Sequence, residues 1–123
     1  MNYNDTFNDT FREFTEDLIR VFPEDPEFRM YQVGIETTIA LYPSYVAEQF
    51  IQKVTIPYGD KILMKDQSFF LSHDYEEVTT EHKGASQVIE KIKHYWNNMG
   101  SENQEIVWKY FRVLILLSRK IST

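Results

Sequence analysis

Histidines and carboxylates, the residue types that ligate metals or move protons, gather in one stretch of this chain: His73, Asp74, Glu76, Glu77, Glu81 and His82. A metal site needs ligands converging from fixed spacings, commonly two histidines four apart on a helix, or a His–carboxylate pair with hydrogen-bonded support behind it. Here the two histidines are nine apart, inside a largely polar run (72–84). Such a run reads as a solvated, mobile loop on the surface. The third histidine, His94, falls on the polar face of a helical segment. A working histidine needs a positioned partner, so His94 reads as solvent-facing.

No nucleophile has a visible partner either. The chain has no G-x-S-x-G, no Gly-rich phosphate loop and no H-E-x-x-H, and its four glycines are scattered singly. It has no cysteine, which removes disulfides, thiolate metal sites and a Cys nucleophile and makes a reducing, intracellular setting the simpler reading. The expectation is a protein without catalytic, metal or cofactor residues.

A different kind of chemistry is written into the last helix. Lys109, Arg112, Arg119 and Lys120 gather on one narrow arc, bordered or interrupted by Trp108, Ile115 and Leu116. Aromatic and aliphatic anchors beside arginine are what protein interfaces use. The expected partner-binding set is therefore Trp108, Lys109, Arg112, Ile115, Leu116 and Arg119. Two plainer readings compete with it. The charges pair with acids of the same domain or are merely solvated, and the apolar members pack on the N-terminal helices.

The elements that would position these residues are helices. Residues 85–121 read as two helices joined by a short turn. Val88, Ile89, Ile92, Tyr95, Trp96 and Met99 share one face of the first, at spacings of three and four. Gly100 is placed to end that helix in a left-handed conformation, and Ser101 with Gln104 fits a capping box opening the next. In the last helix, Ile106, Val107, Trp108, Tyr110, Phe111 and 113–117 cover well over half the circumference. That is more than the stripe of roughly 100° a one-sided surface helix needs, so this helix is expected at the centre of the core, packed on several sides. Charges recur every few residues, against a membrane span of about 20 mostly apolar residues. A tight turn would lay Trp96, Val88, Ile92 and Met99 against Tyr110, Leu114 and Leu117.

Upstream, residues 5–22 form an amphipathic pattern. Phe7, Phe11, Phe14, Leu18, Val21 and Phe22 lie on one side and Asp9, Glu13, Glu16 and Arg20 on the other, with Asp5 as N-cap. Asp25-Pro26 opens a second helix to about Leu41, with Phe28, Tyr31, Ile35 and Ile39 inward. Gly34 inside it costs stability and points to a close crossing with another helix. Pro43 opens a third helix to about Val54, with Val46, Phe50 and Ile51 inward. Pro57-Tyr58-Gly59-Asp60 reads as a turn. Ile62-Leu63-Met64 and Phe69-Phe70-Leu71 read as two short helices, with a short strand pair as the alternative.

These patterns predict one all-α domain over residues 1–123, of about five to seven helices, with an apolar central C-terminal helix. A chain of 123 residues, 15% of them aromatic, can bury a core without staples. Its opening, Met-Asn-Tyr-Asn-Asp, carries neither basic region nor apolar run, so no signal peptide is expected. The net charge of −6 is uneven: residues 1–60 hold eleven acids against four bases, and residues 61–123 eight acids against nine bases. That balance argues against direct nucleic-acid binding, which needs a clustered basic surface.

The stretch Trp96-Asn97-Asn98-Met99-Gly100-Ser101-Glu102-Asn103-Gln104, then Ile106-Val107-Trp108-Lys109-Tyr110 and Leu114-Ile115-Leu116-Leu117-Ser118, resembles short all-helical proteins of large DNA viruses. The Phe-rich first helix ending at Phe22-Pro23 is similar too. The resemblance covers mainly the C-terminal forty residues and transfers no catalytic residue. It implies a virus-encoded protein acting through a partner in the cytoplasm of an infected cell.

Three functions follow as expectations. The first is a non-enzymatic helical interaction module that binds a protein partner or itself, with no membrane role. The second is an acidic decoy occupying a nucleic-acid-binding surface, suggested by the acidic N-terminal half. The third is an enzyme using segment 72–83.

Overall fold

Helix α1 (Tyr3–Val21) begins where Asn2 Oδ1 accepts the Asn4 and Asp5 amides, at 3.0 and 3.2 Å. Asn2 therefore caps the helix and Asp5 lies within it, a correction that lengthens the first element at its start. In a computed structural model describing residues 2–71 and 85–122, the chain continues through α2 (Pro26–Leu41), α3 (Tyr45–Phe50), a π-helical turn (Ile51–Thr55), α4 (Ile56–Leu63) and α5 (Ser68–Leu71). Helix α6 (Ala85–Tyr95), a 3₁₀ turn (Trp96–Asn98) and α7 (Ser101–Ile121) follow. Every regular element among the described residues is helical, and they form one all-α domain. The strand-pair alternative for 62–71 is thereby removed.

Helix α2 starts as its sequence dictates. Asp25 Oδ1 accepts the Glu27 amide at 2.9 Å, and Pro26 occupies the first helical position, where no amide is needed. The Thr37-Thr38 pair lies inside it, each hydroxyl donating to the carbonyl four residues back, those of Val33 and Gly34.

The expected turn at Pro57-Tyr58-Gly59-Asp60 is instead helix, inside α4. A proline removes one helical hydrogen bond and crowds the preceding turn. The chain absorbs this by widening one turn just ahead of it: the Ile56 amide reaches Ile51 O, five residues back. Gly59 then lies against α7, where an added Cβ would come within 3.0 Å of an Arg119 guanidinium nitrogen and 3.7 Å of Ile115.

The core is a web of aromatic rings with Phe111 at its hub. Its ring centroid lies 5.7 Å from Phe14, 6.2 Å from Phe50, 6.0 Å from Phe69 and 5.5 Å from Phe70. Helices α1 and α7 form the most extensive pairing. They run antiparallel, since Phe14 meets Phe111 while Asp17, further along α1, meets Tyr110, earlier on α7. The π turn also packs on α7, and the buried hydroxyls of Thr55 and Ser118 join at 2.7 Å.

The turn between α6 and α7 differs from expectation. Gly100 is extended (φ −65°, ψ 159°), not left-handed, and it holds the N-cap position without a side-chain cap; Ser101 is already helical. Gln104 instead donates to Trp96 O at 3.0 Å, tying α7 to the start of the 3₁₀ turn. Only Met99 and Gly100 separate the 3₁₀ turn from α7, yet α6 and α7 are not among the principal helix pairings. Helix α6 packs chiefly on α2, α3 and α5. Phe70 of α5 stacks on Trp96 at 4.0 Å and meets Trp108 edge-on at 5.1 Å, joining the two tryptophans. Tyr110 stacks on Phe14 of α1 at 4.8 Å instead of meeting α6.

Candidate partner-binding site

The six residues expected to bind a partner divide into three groups. Trp108 and Ile115 are buried in the chain's own core and are corrected from surface anchors to packing residues. At about 100° per residue they point back toward the α3–α5 side of α7 and away from Lys109. Trp108 meets Phe70 and Trp96, and Ile115 lies beside Gly59. Arg119 is half-buried and paired with Asp60 at 2.8 Å, so it ties α7 to α4. Lys109, Arg112 and Leu116 remain exposed on one outward face.

That face is more apolar than a solvated helix needs. Ile106, Val113 and Leu116 are exposed there, Leu116 to 46%. They alternate with Lys109 and Arg112, which form no ion pair among the described residues. The expectation that α7 is packed on several sides is thus only partly met, because one side faces solvent.

Toward α1 this face descends into an open groove of about 620 Å³ lined by Glu13, Asp17, Arg20, Ile106, Lys109 and Val113, among others. Asp17 closes its floor, accepting from the Tyr110 hydroxyl and pairing with Arg20. Burial and the nearby Glu13 charge push the Tyr110 phenol above its ordinary pKa, so it stays protonated as a donor. The groove is amphipathic: acids from α1 on one wall, Lys109 and aliphatic side chains from α7 on the other. Sequence reading missed Ile106, Val113 and the α1 wall. The helical period could have placed Ile106 and Val113 beside Lys109, but not across from Asp17.

The densest set of titratable groups lies elsewhere, between α2 and α6. Lys91 Nζ pairs with Glu27 at 2.8 Å and Asp25 at 3.1 Å. The Tyr95 hydroxyl donates to Asp25 at 2.5 Å and the Tyr31 hydroxyl to Glu27 at 2.7 Å. Burial alone would raise Asp25, but the hydrogen bonds from Tyr95, the Glu27 amide and Lys91 outweigh it and hold the carboxyl low. The Lys91 and Tyr31 hydrogen bonds lower Glu27. Burial opposes the charge on Lys91, yet its two carboxylate partners raise it. Burial and the bond to Glu27 push Tyr31 up to about 12. Each shift moves its group away from neutrality. A proton-transfer group needs the reverse, a pKa near the working pH. The cluster is a clamp.

Among the described residues, no three or more His, Asp or Glu are arranged to hold a metal, and no helix is long and apolar enough to cross a membrane. His94 is exposed, its ring edge-on to Tyr95. His73, Asp74, Glu76, Glu77, Glu81 and His82 lie outside the described residues.

A scan against protein-family models and searches of curated proteins and of solved structures returned no match.

Proposed function

We propose that this chain is a non-enzymatic helical interaction module that binds a protein partner through the outer face of α7 and its groove with α1. One observation carries the reading. On the helix that anchors the core, Ile106, Val113 and Leu116 stay exposed beside Lys109 and Arg112, which form no ion pair among the described residues. Interfaces combine aliphatic and Arg anchors in this way, with a polar rim. The partner that fits is a protein segment bearing acidic residues on an apolar face. The proposal includes a virus-encoded protein working inside an infected cell, on the likeness of the C-terminal helices.

The test is proximity cross-linking in the producing cell with the chain and with a Leu116→Glu/Arg112→Glu variant. The expected result is a partner captured by the first and lost by the second, at unchanged helicity. A capture pattern identical for both would overturn the assignment.

A second reading has its own observation. Asp5, Asp9, Glu13 and Glu16 are all exposed along one face of α1, separated by about 4–6 Å along the axis at 1.5 Å per residue. A row of acids suits an acidic decoy for a nucleic-acid-binding surface. Its binding would fall steeply with salt and compete with DNA. Affinity unmoved by salt would remove it.

A further inference from the structure

We propose that the outer face of α2 is the seam of a symmetric, antiparallel homodimer. This surface is separate from the α7 face and does not rest on the reading above.

Helix α2 is apolar on two opposite faces. Phe28, Ile35 and Ile39 are buried inward. Outward, Pro26, Met30, Val33, Thr37, Ala40 and Leu41 are all exposed, with Met30, Val33 and Leu41 each about two-thirds open. At about 100° per residue, Met30, Val33, Thr37 and Leu41 fall within about 80° of one another. No charge interrupts this stripe. The Thr37 hydroxyl is satisfied by Val33 O at 2.9 Å, which leaves its methyl as the group on offer. An exposed, contiguous apolar patch marks an interaction surface.

Two features identify a second copy of this chain as the cover. The first is Gly34, at the midpoint of α2. Glycine inside a helix is destabilising relative to alanine, and no close approach explains it: among the described residues a Cβ added there meets no atom within 4 Å. A two-fold axis between Val33 and Gly34 would bring the two Gly34 positions together, where the missing side chains let the helix backbones approach. The same axis sets Met30 over Thr37 and Pro26 over Leu41 of the second copy, larger groups facing smaller ones.

The second feature is charge. Arg29 and Glu36 lie on the same edge of the stripe, and Arg29 forms no ion pair among the described residues. In an antiparallel pair about that axis, each Arg29 lies about two residues along the axis, or about 3 Å, from Glu36 of the second copy. Glu36 already accepts from Arg12 at 2.7 Å, and a carboxylate has acceptor sites for a second cation. Two such pairs flank the seam. They favour the antiparallel arrangement, since a parallel two-fold pair would carry this edge of the second copy to the opposite side of the seam, away from the first copy's Arg29 and Glu36.

Helix α2 is about 24 Å long and about 10 Å wide. Its footprint belongs with small, reversible interfaces, below the roughly 800 Å² per partner of standard complexes. The dimer should therefore dissociate on dilution.

Sedimentation velocity over a concentration series tests this on the whole chain. The expected result is a mass rising from 14.8 kDa toward twice that value. Val33→Glu should hold the chain at the monomer mass with an unchanged far-ultraviolet circular dichroism spectrum, and Leu116→Glu should leave the dimer intact. Arg29→Glu should weaken the dimer several-fold, because it sets a second carboxylate close to Glu36 of the second copy. A chain that stays monomeric up to millimolar concentration overturns the proposal. So does a dimer that survives Val33→Glu, or one lost only in Leu116→Glu. An Arg29→Glu chain that associates as tightly as the native one would overturn the antiparallel register.

Discussion

Helices α7 and α2 both carry more apolar surface than a surface helix needs, yet the fold uses them in opposite ways. Helix α7 sends Phe111, Leu114 and Ile115 into the centre of the aromatic core and leaves a mixed basic and aliphatic face outside. Helix α2 is fixed from its inner face and from the Asp25–Glu27–Lys91 clamp at its N-terminus, and it leaves a stripe free of charge outside. The lesson is that an apolar majority on a helix does not say which side is buried. The same surplus serves as core in one element and as unpartnered surface in the other.

The sharpest way to break that comparison is to empty the α7 core. Phe111→Ala removes the ring that meets four other phenylalanines, and should cost about 3–5 kcal/mol. Leu114→Ala should cost about 2–5 kcal/mol. Either is a large part of the roughly 5–15 kcal/mol that holds a domain together, and thermal melting would show it as a drop of about 10 °C or more. A mild Phe111→Ala would mean that α7 is not the core.

The clamp on α2 should come next, with a pH signature. Asp25 and Glu27 titrate lower in the fold than in the unfolded chain. The stability they give is therefore complete above the ordinary carboxylate range. It is lost as the pH falls through their depressed folded-state values. Asp25→Asn keeps the helix cap but exchanges hydrogen bonds to a charge for weaker ones, at about 1.5–3 kcal/mol. Denaturant melts from pH 7 to pH 3 should show a shallower acid decline in this variant than in the native chain. Parallel curves would mean that the clamp contributes nothing.

A smaller effect of opposite sign is expected at Gly34. With open space where a Cβ would stand, Gly34→Ala should stabilise the dilute monomer by about 1 kcal/mol while lowering the dimer fraction. A loss of monomer stability would show that the glycine answers a need within the chain. Smallest of all, Arg112→Ala and Val33→Ala should each move stability by about 0.5 kcal/mol or less, as exposed sites do. A marked fall in dilute melts for Val33→Ala would mean that the outer stripe of α2 packs within the monomer.

Much of this was legible in the chain itself. The spacing of Phe7, Phe11, Phe14 and Leu18 fixes α1's inner face, because a helix turns about 100° per residue whatever surrounds it. Asp25-Pro26 marks the start of α2 for an equally local reason: a side-chain acceptor and a residue with no amide to satisfy. What the sequence could not decide involved partners far along the chain. Pro57 read as a break, yet a widened turn carries the helix through it, held against α7 by the Thr55–Ser118 hydrogen bond between residues 63 apart. Trp108 and Ile115 read as border residues of a basic arc. They became core because Phe70 and Gly59 approach from α5 and α4. Periodicity gives the angle of each side chain about its own axis. Which angles face protein and which face water depends on where the other helices come to rest, and only tertiary packing sets that.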